Sequence, residues 1–296
     1  MGSIEMADFA TDTALEGGRG RYRAVLSPDW EVWGPLGGYV AAIALRAIGA
    51  ECPGMRPASI SCQFLAPAAF TETDVEVEIL RAGKRSRALH VRIKQEGRLV
   101  HAATGWVVDG GMPGLEHDHA VMPDVPPPSQ LRSYAEFADN FEEWFPVWHH
   151  AIDGRPVAWQ DEPQPPVWRA WMRLLRTPPL DDPFLDAARS LMWMDLMMWN
   201  AALQPHLPWP LAYVAPNLDV SAILHAGAAE DEWLLCDGDA PVARDGLVGC
   251  SGRVWSPSGR LIASGNSCLF CRANPRYEQD LERRQRWDAE RRRGGR

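Results

Sequence analysis

Polar and apolar residues alternate strictly in two stretches of this chain. Asp74-Val75-Glu76-Val77-Glu78-Ile79-Leu80 and Ala88-Leu89-His90-Val91-Arg92-Ile93-Lys94 put every second residue on one face, the period of a half-buried strand. Residues 57–65 and 102–108 are apolar enough for further strands, and residues 19–33 predict an opening strand and turn. Tyr39 to Leu45 runs apolar with no breaker until Gly49, so a helix is expected over about 38–50. The second half repeats this grammar: a strand over 168–175, a longer helix over 186–203, then strands over 217–225, 232–237, 246–255 and 260–271. Between the halves, Gly110 to Gln130 contains Pro126-Pro127-Pro128 and predicts a linker. Tyr134 to Trp148 predicts an interdomain helix with aromatic anchors, and Glu278 to Arg293 a solvated helix of mixed charge.

The halves read as copies. Gly37-Gly38-Tyr39-Val40, Pro57 to Leu65 and Gly97 to Ala102 answer to Asp195 to Leu203, Pro216 to Leu224 and Gly259 to Ser264. The offset is 159 residues for the first strand and 162 for the last, a slip that one turn absorbs. A duplicated α+β unit follows. The expected boundaries are 1–112 and 146–273 for the two units, 113–145 for the linker with its helix, and 274–296 for the charged tail.

Charge narrows the partners. The formal net charge of -9 divides into a tail from Arg276 of eight Arg and five acids, +3, and a body of -12, a poor match for nucleic acid. No apolar run approaches the ~20 residues of a membrane helix. The acidic start lacks the apolar stretch of a signal peptide. The six cysteines show no framework of a small secreted domain, so a cytoplasmic chain is expected. Cys268 and Cys271 lack a second pair for a metal and read as core residues; His149-His150, if on a strand, would diverge. No metal and no cofactor is expected. There is no Gly-x-Ser-x-Gly elbow for a serine nucleophile.

Several strings resemble the acyl-CoA thioesterase II family. In the first half they are Gly37-Gly38, Gln63-Phe64-Leu65-Ala66-Pro67 and Leu80-Arg81-Ala82-Gly83-Lys84-Arg85-Ser86; in the second, Arg155-Pro156-Val157, Ala202-Leu203-Gln204-Pro205-His206, Asp231-Glu232-Trp233-Leu234-Leu235 and Gly259 to Ser264. The resemblance covers roughly residues 20–272. It implies a double hotdog, two tandem helix-wrapped antiparallel sheets, that hydrolyses fatty acyl-CoA. It also implies a catalytic Asp, Thr and Gln that hold the attacking water; these fall on Asp195, Asn217 and Ser267, so two of the three residue types differ. A homodimer or dimer of dimers is expected.

The residues themselves add a second line. Asp195 interrupts an apolar helical run, where a carboxylate is costly unless hydrogen-bonded and its pKa rises toward values suited to a base. A residue satisfying backbone donors is the other reading. Carried back by the offsets, Asp195, Asn217 and Ser267 meet about Leu36, Ala58 and Gly105, which suggests one site per chain. Gly37-Gly38 could bring helix amides to an oxyanion or serve only packing. Arg81, Lys84, Arg85 and Arg87 could meet CoA phosphates or form an exposed hairpin turn. An acyl-CoA binder without turnover is the alternative function. A hotdog hydratase or dehydratase using Asp219 and His225, on one face of a strand, is a more distant one.

Overall fold

Two long helices and two runs of strands form where the periodicities place them. The computed structural model describes residues 7–137, 147–158 and 162–294. In the first half these elements are α1 (Phe9–Asp12), β1 (Glu16–Gly18), β2 (Arg21–Val25), α2 (Gly37–Glu51), β3 (Met55–Phe64), β4 (Glu72–Ala82), β5 (Ser86–Gln95) and β6 (Arg98–Asp109). The short helices α3 (Tyr134–Phe137) and α4 (Val147–His150) lead to β7 (Ile152–Pro156), β8 (Val167–Leu174) and α5 (Pro183–Leu203). There follow β9 (Tyr213–Val214), β10 (Asp219–Leu224), β11 (Leu234–Arg244), β12 (Leu247–Trp255), β13 (Leu261–Phe270), β14 (Arg272–Ala273) and α6 (Tyr277–Gly294).

Twelve strands make one antiparallel sheet in the order β1-β2-β4-β5-β6-β3-β10-β13-β12-β11-β8-β7. The order reads alike from either end, so the repeat is a pseudo-two-fold. Its seam is the β3–β10 pair, where Ser61 stands opposite Ser221. The apolar faces of the strands close over α2 and α5, which are buried along most of their length. The helices run antiparallel: the start of α2 meets Met192 and Asp195, and Gly49 near its end meets Phe184. The halves therefore share one core.

Local signals set the two helices apart. Asp182 caps α5 through the Phe184 N–H at 2.9 Å, with Pro183 at the first position. Leu36 precedes α2 and offers no side-chain cap. Something else must serve those first amides. At the other end of α5's first turns, the fully buried Arg189 binds Asp186 at 2.9 Å and the carbonyls of Ala228 and Asp231, tying the helix to the loop before β11.

The linker has no regular structure from Met112 to Pro127, yet it is pinned. Trp171 donates to the Pro126 carbonyl at 2.9 Å and Arg155 to that of Pro128 at 2.9 Å. Met122, Val125 and Leu131 cover a small second core of Trp171, Leu235 and Trp255. Arg155 and Arg173 lie over the Trp233 ring at 4.9 and 4.7 Å, so two strings of the resemblance meet here.

Some expectations change. The predicted interdomain helix is helical at its two ends as α3 and α4, and residues 138–146 between them lie outside the described residues. His149 and His150 therefore sit on a short helix, not a strand. The strand expected over 232–237 runs on to Arg244, because a register shift between Asp239 and Val242 accommodates Pro241. β7 was not foreseen; it contains Gly154 and Pro156, which its place at the edge of the sheet tolerates. Cys268 and Cys271 are half-buried and the other four cysteines fully buried; all six are free thiols.

Candidate active site

Asp195 lies in the middle of α5, 5% exposed, and faces the start of α2. Its Oδ2 accepts the Gly38 N–H at 2.7 Å, so it caps the helix that has no cap of its own. Its Oδ1 accepts the Asn217 amide at 2.5 Å, and the same nitrogen reaches the Asp195 carbonyl at 3.0 Å. Behind Asn217, the Ser267 hydroxyl stands 3.1 Å from Asn217 Oδ1 and 2.6 Å from the Asp219 carbonyl. One hydroxyl proton serves one of these two acceptors at a time. Residues from α5, the approach to β10, and β13 thus form one chain of hydrogen bonds that ends on α2.

The glycines make this approach possible. A Cβ on Gly38 would lie 2.7 Å from Met192 Cα and 2.9 Å from its carbonyl oxygen. A Cβ on Gly37 would lie 3.0 Å from Asp195 Oδ1 and 3.0 Å from Phe64 Cε1. Burial pushes the Asp195 carboxyl up to about 6, against the opposing pull of the Asn217 and Gly38 bonds. A carboxyl in that range is ionised at neutral pH and basic enough to take a proton. Cys62 lies buried nearby, its thiol pushed up by burial first and by the Asp195 charge second.

Other expected residues fall elsewhere or change meaning. Gly38 spends its amide on Asp195, which leaves Gly37 N–H, without a protein acceptor among the described residues, as the amide open to a ligand. The basic cluster sits on the β4–β5 hairpin at the far end of α2, roughly 20 Å of helix rise from Gly37. Arg87 is held there, donating to the Glu51 carbonyl at 3.2 Å, and Arg81 lies over the Trp106 ring at 5.7 Å. Lys84 and Arg85 are exposed at the turn. Asp219 accepts the Cys268 N–H at 2.8 Å while His225 bonds Ser264 Oγ at 2.8 Å. Six residues of strand separate them by roughly 20 Å, too far to act on one substrate bond.

The offset of 162 holds for the last strand, that of 159 is one short for the first, and neither carries over to the helices. Thr104 pairs with Ser61 as Asn266 pairs with Ser221, so Gly105 does answer to Ser267. Asn217 bridges Leu269 as Pro57 pairs with Val107, so its counterpart is Pro57 and not Ala58; the pairing of Ser61 with Thr104 and of Ser221 with Asn266 gives the same offset of 160, one more than the 159 read from the strings. Leu36 precedes α2, whereas Asp195 lies inside α5. Two residues near the site escaped the sequence. Phe64 lies beside Gly37, where an added Cβ would meet its ring at 3.0 Å, and packs tilted against His101, ring centroids 5.2 Å apart. The string around Phe64 was visible, but neither residue stood out as chemistry. Among the described residues no group of three His, Cys, Asp or Glu side chains could hold a metal ion, and no helix is long and apolar enough to cross a membrane.

This geometry meets known proteins at the level of family and fold. The acyl-CoA thioesterase N-terminal domain family matches residues 26–108 and the acyl-CoA thioesterase C-terminal domain family residues 116–267. No functionally curated protein matches the chain. Among solved structures, a hot dog fold protein of unknown function from Alicyclobacillus acidocaldarius is similar at 24% identity and a TM-score of 0.76, over 90% of this chain and 98% of that one. The acyl-CoA thioesterase II TesB2 from Mycobacterium marinum is similar at 24% identity and 0.73, over 91% and 100%. A tesB protein from Mycobacterium avium subs paratuberculosis gives 22% and 0.73, over 90% and 99%. The fold is a double hotdog of class α+β, and the chain belongs to the acyl-CoA thioesterase family.

Proposed function

We propose that the protein hydrolyses acyl-CoA thioesters by attack of water, with Asp195 as general base. The observation that carries this reading is a buried carboxylate with a pKa near 6, held by Asn217 on one oxygen and by the start of α2 on the other. Each carboxylate oxygen keeps a lone pair for a water proton. As water attacks the thioester carbonyl, its proton passes to Asp195 and the negative charge collects on the carbonyl oxygen. The open Gly37 amide, at the positive end of α2, is the donor for that oxyanion. Collapse expels the CoA thiolate, which takes the proton back from Asp195. Asn217 orients the carboxylate and Ser267 orients Asn217.

The test is release of free thiol from a panel running from acetyl-CoA to palmitoyl-CoA with aromatic acyl-CoAs added. Turnover on none of them would reject hydrolysis. An acyl-CoA-binding protein without turnover is the second reading. It is favoured by one observation: protein groups already occupy both oxygens of Asp195 and the Ser267 hydroxyl. Replacing Asn217 by Thr and Ser267 by Gln separates the two. An enzyme tuned to one acyl group loses rate on that group and gains it on plain fatty acyl-CoA, because these groups act mainly on the transition state. A binder responds on neither.

Two further results are expected. The log of kcat should rise with pH and level off near pH 6, because water attack needs ionised Asp195. In Asn217→Leu the bend should move to higher pH, since the lost amide bond is what pulls the carboxyl down. An unchanged bend would detach the profile from Asp195. For the hairpin, Lys84→Glu with Arg85→Glu should weaken acyl-CoA binding about tenfold or more if the CoA arm runs along α2. A short thioester without the nucleotide should bind as before. Equal weakening of both would leave the cluster as a turn.

A further inference from the structure

His101 carries an unexplained polarity. It is 1% exposed on β6, and the buried positions that alternate with it, Ala103, Gly105 and Val107, bear no polar side chain. Neither of its ring nitrogens has a hydrogen-bond partner among the described residues. Burial pushes its pKa down to about 3, so the ring is neutral at every working pH, with one donor and one acceptor to satisfy. Leaving both nitrogens of one ring buried without partners is unfavourable, and His101 is the side chain in this state that lies beside the Asp195 site through Phe64.

Its place says what that partner is. The His101 ring packs on Phe64, centroids 5.2 Å apart and planes at 50°. The Phe64 edge reaches the same point beside Gly37 that Asp195 Oδ1 reaches, each 3.0 Å from it. One aromatic ring thus separates His101 from the carboxylate. A neutral imidazole there matches a group that is itself neutral and can both donate and accept.

We propose that His101 is a specificity-determining residue that receives a hydroxyl on the acyl chain, so that the preferred substrates are hydroxyacyl-CoAs. This rests on the acyl-CoA reading of the site. Ala103, Gly105 and Val107, which share the buried face of the strand with His101, offer it nothing polar, and an unsubstituted acyl group reaching it would leave it without a partner. A site built to bond a hydroxyl discriminates against the analogue that lacks it.

Binding tests this without turnover. Non-hydrolysable 2-oxoalkyl-CoA thioethers with a twelve-carbon acyl mimic are titrated into the wild-type protein. One is plain, and the others carry a hydroxyl at successive carbons from about C3 to C7. At least one hydroxylated ligand should bind about tenfold more tightly than the plain one. In His101→Phe that preference should vanish while plain-chain affinity is kept or improved. In His101→Gln, which still hydrogen-bonds, most of it should remain. Binding of all ligands with no hydroxyl preference in the wild-type protein overturns the proposal and leaves the acyl-CoA reading standing. A preference that survives in His101→Phe assigns it to another residue and also overturns the proposal. Binding of no CoA ligand overturns the acyl-CoA reading itself, and the proposal with it. Because the wild-type comparison decides first, the proposal stays testable even if a His101 variant fails to fold.

Discussion

Asp195→Asn is expected to lower kcat for thioester hydrolysis by about 10²–10⁴-fold, the usual loss when a general base is removed. The protein should stay folded. Asn keeps an oxygen for the Gly38 N–H, and Asn217 can turn its amide so that its oxygen meets the new NH2 and its nitrogen meets Ser267, at the loss of its bond to the residue 195 carbonyl. Stability should even gain above neutral pH, and the sign follows from the pKa. Asp195 is raised from 3.8 to about 6 in the folded protein, so between those values the unfolded chain loses its proton first. Folding then holds the extra proton, and wild-type stability falls as pH rises through that window, by about 2–3 kcal/mol in all. Asn carries no such cost. Melting curves of both proteins at pH 4 and pH 8 should therefore show the variant gaining on the wild type as pH rises. If Asp195→Asn retains more than about a tenth of kcat, the carboxylate is not the base. If it instead melts lower at pH 8 than at pH 4 relative to wild type, Asp195 is chiefly a helix cap whose charge stabilises.

Gly38→Ala is expected to damage fold and site together. The added methyl would press on the Cα and carbonyl oxygen of Met192, backbone atoms in the middle of a long buried helix that cannot move cheaply. Overpacking of this kind costs typically 1–3 kcal/mol and more where backbone must shift. A loss of about 3 kcal/mol would lower Tm by roughly 5–10 °C in a chain of this size. Parting α2 from α5 also stretches the Gly38–Asp195 bond, now 2.7 Å, and withdraws Gly37 from the carboxylate. Residual folded protein should thus show a kcat well below wild type, with Asp195 titrating above about 6 because burial is no longer offset by that bond. Gly249→Ala is the control, since nothing lies within 4 Å of its added methyl. Equal Tm for Gly38→Ala and Gly249→Ala would mean the helices do not meet as described.

The candidate site was half legible in advance. Asp195 stood out because a carboxylate broke an apolar helical run, and the spacing of Asn217 and Ser267 from it carried the resemblance. The three do meet, through bonds of 2.5 and 3.1 Å. That Gly38 would be the fourth member, joined across 157 residues, was not legible. Gly37-Gly38 looked like a free amide pair, and only the packing of α2 on α5 turns one of those amides onto the carboxylate. Likewise, nothing along the chain told that Arg87 would donate to the Glu51 carbonyl at the end of α2.

What the sequence determined by itself is whatever depends on neighbours along the chain. Alternation over 74–80 and 88–94 placed β4 and β5, and the apolar runs placed both helices, because burial of one face is set by period. The repeat determined that the architecture is a duplicated one. What only the tertiary structure decided depends on pairs far apart in sequence. These are the β3–β10 seam, the antiparallel contact of α2 with α5, the extension of β11 through Pro241, and the burial of His101 against Phe64. Each is a contact in which a glycine, a proline or an isolated histidine takes its role from the surface it meets, and a local period carries no information about that surface.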